Sequence, residues 1–140
     1  MSAMFLKFPF EYAEIKGLGK LFYPIAKLDL KTIYGYKEFD FLVDTGADIT
    51  TLPIHILPIL GIKKADCKIS YSFGVGEIKV KTYEFLLPIK LGQLELSIIA
   101  SAVDVGKNSM PLLLGRKDVF EAKFNLTLDS KQKIVIIKEN

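Results

Sequence analysis

Apolar and polar residues alternate with a period of two along most of this chain, with turn-forming residues as punctuation, and the pattern predicts a mainly β fold. Phe5 to Ile15 and Leu21 to Leu30 read as strands on either side of a turn at Lys16-Gly17-Leu18-Gly19-Lys20. Thr32 to Tyr36 turns the chain again, and Glu38 to Val43 returns it. Lys68 to Phe73 and Glu77 to Ile89 read as the arms of a hairpin, and Leu94 to Val103 as another strand. Phe124 to Leu128 and Lys133 to Ile137 read as a terminal hairpin across Asp129-Ser130-Lys131-Gln132. Two stretches depart from the alternation. Pro53 to Gly61 predicts a short helix, with Pro53 in its first turn, Leu60-Gly61 at its end and Pro58 limiting its regularity. Lys117 to Phe120 predicts the opening of a second. With no internal repeat, low-complexity segment or linker, residues 1–140 are expected to form one domain. Residues 1–20 would supply an N-terminal extension strand and turn, and 124–137 a C-terminal hairpin.

Composition narrows the class. Half of the 140 residues are apolar, enough to bury a core without staples. Cys67 is the single cysteine, which excludes an intrachain disulfide and points to a reducing, cytoplasmic compartment. Met1 to Lys7 shows no basic cluster followed by a sustained apolar stretch, so no signal peptide is expected. No apolar run approaches the ~18 residues of a membrane span. The net charge of +3 is spread among interspersed lysines and acids, which reads as a solvated surface with neither a nucleic-acid nor a membrane partner.

The chemistry concentrates in Phe41-Leu42-Val43-Asp44-Thr45-Gly46-Ala47-Asp48. An apolar strand delivers the Asp44 carboxylate to a tight turn, where Gly46 lets the backbone approach its neighbours closely. These residues alone read equally well as an Asp-X-Gly hairpin turn with a solvated carboxylate. Two further segments change the balance. Tyr71 to Val80 carries a Gly74-Val75-Gly76 turn between strand-like residues, and Met110-Pro111-Leu112-Leu113-Leu114-Gly115-Arg116 is an apolar run ending in Gly-Arg. In this order the three landmarks resemble the retropepsins, the single-domain aspartic peptidases of retroviruses and their cellular relatives. The resemblance covers about Pro24 to Asp129, and the Pro53–Gly61 insert is similar to the short helix ending in Leu-Gly of cellular members rather than to the terse viral ones.

The resemblance implies an all-β, small closed-barrel-like fold with a flap hairpin and one or two short helices, completed by homodimerisation. It implies an aspartic endopeptidase acting on polypeptide without a cofactor. Amide hydrolysis without a metal or a covalent nucleophile needs a water deprotonated as it attacks and an acid that protonates the leaving nitrogen. Two carboxylates a few ångströms apart can do both, because their repulsion makes them share a proton. One Asp-Thr-Gly per chain supplies half of such a pair, since Asp104-Val105-Gly106 lacks the hydroxyl; a two-fold dimer would bring Asp44 against its own copy. By the family pattern, Thr45 would reach the partner's loop and Gly46 would offer its carbonyl to a substrate amide. Ala47 would keep the pocket floor small, and Asp48 would bind substrate backbone or pair with a structural Arg116 in a partly buried salt bridge. Phe73, Gly74, Val75 and Gly76 would form the flap tip, in a register that shifts by one residue according to whether Ile78-Lys79-Val80 or Gly74-Val75-Gly76 is the anchor. Leu42, Leu113 and Val75 would wall pockets for apolar substrate side chains, although Leu42 and Leu113 are as easily core residues. Glu77 puts a charge where viral flaps often carry an apolar residue, which keeps a second reading open: a weak or inactive relative serving as a peptide-binding or dimerisation module. His55 reads as a surface or helix-cap residue and Cys67 as a small, at least half-buried one.

Overall fold

The computed structural model describes residues 5–73, 79–106 and 110–140. Its strands are β1 (Phe5–Pro9), β2 (Glu11–Ile15), β3 (Gly19–Tyr23), β4 (Ile25–Thr32), β5 (Gly35–Val43), β6 (Thr50–Pro53), β7 (Lys68–Phe73), β8 (Lys79–Leu91), β9 (Leu94–Val103), β10 (Leu112–Leu114), β11 (Phe124–Asp129) and β12 (Ile134–Glu139). The architecture is all-β, as the alternation predicts.

The central sheet runs β4-β5-β10-β6-β9-β8-β7, and a further pairing of β4 with β8 closes it into a barrel-like ring with β7 attached outside. The alternation explains the closure. In β4, Ala26, Leu28, Leu30 and Thr32 are buried while Lys27 and Lys31 are exposed, so one face turns inward along the whole strand. Phe41 and Val43 of β5, Leu87, Ile89 and Leu91 of β8, Ile98 and Ala100 of β9 and Leu114 of β10 fill the same interior. A second sheet, β1-β12-β11, brings Phe124, Val135 and Ile137 into this core. The β2–β3 hairpin stands apart as a two-stranded sheet, with Tyr12 and Phe22 packed at 5.8 Å between ring centroids.

Two long expected strands are each divided. Phe5 to Ile15 breaks after Pro9, so that β1 pairs with β12 while β2 turns away to β3; Leu21 to Leu30 breaks at Pro24, where the chain enters the ring. A proline lacks the N–H that a continuous ladder requires, and both breaks follow from that. The helix expected over Pro53 to Gly61 is present only as a 3-10 turn (Ile54–Ile56) running into one α-helical turn, α1 (Leu57–Leu60); Pro53 is extended at the end of β6, and Pro58 is the proline of the first turn. Gly61 ends it at φ 69°, the left-handed cap that glycine adopts without strain.

The second expected helix, Lys117 to Phe120, does not form as a regular helix. Lys117 is extended (φ −61°, ψ 132°) and Asp118 left-handed (φ 64°, ψ −1°). Tertiary hydrogen bonds override the local preference: Arg116 N–H donates to the Ala47 carbonyl, Lys117 N–H to the Asp48 carbonyl, and the Asp118 carboxylate accepts from Ile99 N–H at 2.8 Å. Among the described residues no helix is long and apolar enough to cross a membrane.

Candidate active site

The position of Asp44 follows from strand order. Strands β5 and β6 are not neighbours, because β10 lies between them, parallel to β5 and antiparallel to β6. The loop from Asp44 to Ile49 therefore bridges two strand spacings, roughly 10 Å, across the end of β10. Its first residue is tied to β10 by Asp44 N–H donating to the Leu114 carbonyl at 3.0 Å. Ala47 N–H then donates to the Asp44 carbonyl at 3.1 Å and closes the turn. Gly46 N–H donates to Asp44 Oδ1 at 2.9 Å, leaving Oδ2 without a protein partner among the described residues. The carboxylate is thus aimed by its own turn and only half-buried.

Beneath this loop passes Gly115. A Cβ on Gly115 would sit 2.6 Å from the Ile49 carbonyl carbon and 2.8 Å from Thr50 N, so only glycine fits. The Gly115 N–H donates to the buried Thr50 Oγ1 at 3.1 Å. The next residue, Arg116, grips the loop with its whole guanidinium: Nη1 donates to the Thr45 carbonyl at 2.6 Å, Nη2 to Asp48 Oδ1 at 2.5 Å, and Nε to Glu121 Oε1 at 2.9 Å. Hydrogen bonding to Glu121, and then to Asp48, raises the guanidinium pKa above its already high value. The Asp48–Arg116 pair expected from the sequence is present, but in the single chain Asp48 is 84% exposed, so the pair is more open than expected.

Asp44, Thr45, Gly46, Ala47, Asp48 and Arg116 are therefore gathered in one hydrogen-bonded unit. Leu42 and Leu113 are register partners on β5 and β10, half-buried beside it. Gly74, Val75 and Gly76 lie outside the described residues, and Phe73 is placed only as the last residue of β7. A cavity of about 330 Å³ opens next to the loop, with Ala47, Asp48, Ile49 and Thr51 on its near side. Leu42 and Leu113 do not line it. Sequence reasoning missed Thr50 and Glu121, and it named Gly115 without giving it a role. Gly-Arg in the motif signalled the glycine, whereas Thr50 and Glu121 are found only through the fold.

Elsewhere the chemistry is quiet. Cys67 is half-buried, and burial first, with nearby Asp66 second, raises the pKa of its thiol. His55 is exposed beside α1. Asp104 accepts from Gly106 N–H at 2.9 Å, a loop turn of the same local form as Asp44-Thr45-Gly46, but without a counterpart to the arginine clamp among the described residues.

Comparison with known proteins agrees with this geometry. A crystal structure of a retropepsin-like aspartic protease from Rickettsia conorii superposes with a TM-score of 0.62 at 18% identity, covering 95% of this chain and 98% of that one. The EIAV protease complexed with the inhibitor HBY-793 superposes with a TM-score of 0.50 at 21% identity, covering 67% of this chain and 82% of that one. At such identities the likeness is one of fold. No curated protein matches the sequence. The family model described as "gag-polyprotein putative aspartyl protease" matches residues 31–118, more than half of the chain, and takes in both the Asp44 loop and Arg116. The chain belongs to that aspartyl protease family and has a retropepsin-like fold.

Proposed function

We propose that the protein is a homodimeric aspartic endopeptidase that hydrolyses extended polypeptide with a water held between two copies of Asp44. The observation that carries the reading is the braced half-site: one half-buried carboxylate, oriented by Gly46 N–H, on a loop clamped from below by Gly115 and Arg116. A preorganised loop of this kind suits catalysis, because the acid is held before substrate arrives. With a second Asp44 across a two-fold axis, an ionised carboxylate takes a proton from water as its oxygen attacks the amide carbon. The protonated partner then delivers its proton to nitrogen as the C–N bond breaks. Substrate adds as an extended strand, with main-chain hydrogen bonds for affinity and pockets for alternate side chains. Ala47 keeps the floor of the neighbouring cavity small, and Gly46 offers its carbonyl to the substrate amide. Thr45 braces the partner loop.

The test pairs sedimentation with cleavage of an unfolded protein by wild type and Asp44→Asn. Dimers in both, with hydrolysis only by wild type and its inhibition by a statine-type transition-state mimic, is the expected result. Equal hydrolysis by the two proteins eliminates the assignment. Binding of peptide without hydrolysis by either would make the chain a peptide-binding module instead.

A further inference from the structure

The cavity beside the Asp44 loop has a wall unlike its neighbourhood. The register across the ring sets Leu42 beside Leu113, Leu113 beside Thr51, Thr51 beside Ser101, and Ser101 beside Glu84. Paired residues share a face of the sheet, so this row passes from apolar to polar as it leaves the Asp44 strand. The next row on the same face continues the change, with Thr82 paired to Ser70. Thr51, Ser70, Thr82, Ser101 and Glu84 all line the cavity. A pocket meant only for an apolar side chain gains nothing from four hydroxyls and a carboxylate.

Charge sharpens the point. Two acids reach the cavity, Asp48 and Glu84. Asp48 is paired with Arg116, a cation it shares with Glu121. Glu84 is half-buried and has no ion pair or side-chain hydrogen bond among the described residues. The lysines around it are turned elsewhere or stand off. Lys79 lies 4.0 Å over the ring of Tyr71, which also lines the cavity, and Lys81 5.4 Å over the Tyr83 ring; neither is ion-paired with Glu84. Lys68, the register partner of Glu84 on β7, is exposed, makes no ion pair with it within 4 Å and does not line the cavity.

From this we infer that Glu84 makes the cavity a subsite for a cationic side chain, a lysine or arginine of the polypeptide within three residues of the scissile bond. The inference rests on the endopeptidase reading for its substrate, and it adds a determinant of selectivity. The hydroxyls of Thr51, Thr82, Ser101 and Ser70 supply acceptors for the remaining ammonium or guanidinium protons, and the extended peptide reaches the cavity past Ala47 and Asp48. A site that hydrogen-bonds a charged group rejects the analogue lacking it, because its own polar groups are then left unpaired.

The test uses extended peptides with a reduced-amide bond at the scissile position and apolar residues flanking it. Lysine is scanned through the three positions on each side, with norleucine as the uncharged control. Affinities are measured by calorimetry on the full chain carrying Asp44→Asn, and cleavage of the matching amide peptides is measured on wild type. At one or more positions lysine should bind about tenfold more tightly than norleucine. Adding Glu84→Gln should reduce that preference to less than about threefold. The first comparison needs no substitution at Glu84, so misfolding of the double variant would leave it decisive. Equal binding of lysine and norleucine at every position overturns the inference, as does a preference that survives Glu84→Gln, or failure to bind any of the peptides. A lysine preference in binding without cleavage by wild type would keep the subsite and remove the peptidase reading. Cleavage indifferent to lysine would do the reverse.

Discussion

At the scale of single residues, the site depends on places where two stretches of backbone come closer than any side chain allows. Gly115 is the clearest. Its backbone is extended (φ −93°, ψ −171°), so conformational freedom is not what requires glycine there. Contact is: an added methyl group would overlap the main chain at Ile49 and Thr50, and neither can rotate away as a side chain would. Gly115→Ala must therefore push the Asp44 loop off β10, straining the Gly115 N–H···Thr50 hydrogen bond in the process. The expected loss of stability is roughly 1–3 kcal/mol, as for other overpacked sites, read as a lower midpoint of urea unfolding. Gly35 presents the opposite case: a methyl group there would meet nothing within 4 Å, but its φ of 92° would strain alanine, at the end of β5 away from Asp44. An unchanged midpoint for Gly115→Ala would show that the loop yields freely, and the idea of a rigidly braced carboxylate would fall with it.

At the scale of elements, the alternating pattern reads through to the structure wherever a strand's fate is decided by its own two faces. Leu94 to Val103 is a strand with the expected bounds, and the terminal hairpin and α1 follow the same logic of period and punctuation. The Asp44 loop and Arg116 are legible too, because the Asp-Thr-Gly-Ala and Gly-Arg motifs are local. Legibility fails where distant backbone decides. Nothing in Lys117-Asp118-Val119-Phe120 announces that Asp118 will cap Ile99 N–H, nineteen positions earlier, or that Lys117 N–H will meet the Asp48 carbonyl. Likewise Glu84 sits in an ordinary alternating strand, and only the ring's register sets it in a cavity with Thr51 and Ser101. The turn at Asp118 is testable on its own. Alanine there removes a charged acceptor from a part-buried N–H and keeps a side chain at positive φ, so Asp118→Ala should lower stability by about 2 kcal/mol. Asp118→Asn keeps an acceptor and tolerates the left-handed conformation, and should recover much of that loss. Equal unfolding midpoints for the Ala and Asn variants would show that the bond to Ile99 contributes nothing.

At the scale of the whole molecule, the core and the active site have different requirements. The core closes within one chain: the ring is complete through β4–β8, and Phe124, Val135 and Ile137 of the second sheet join its interior. The proposed active site does not close, since each chain brings a single Asp44 on its braced loop. Folding and activity should consequently separate when the brace is weakened, and Arg116 is the residue that separates them. Its guanidinium holds the Thr45 carbonyl and Asp48 from outside the core, and it is itself part-exposed. Arg116→Ala should leave cooperative unfolding and the far-ultraviolet spectrum intact while loosening the loop proposed to meet a partner copy. The dimer dissociation constant, measured by sedimentation, should rise about tenfold, and specific activity should become strongly dependent on protein concentration. Arg116→Lys should behave nearly as badly, because one ammonium cannot span three acceptors that a planar fork reaches together. Activity that recovers at high concentration would place the defect in assembly. A variant that dimerises like wild type yet stays inactive at every concentration would instead move Arg116 into the chemical step, and the division between a self-sufficient core and a shared site would need to be redrawn around it.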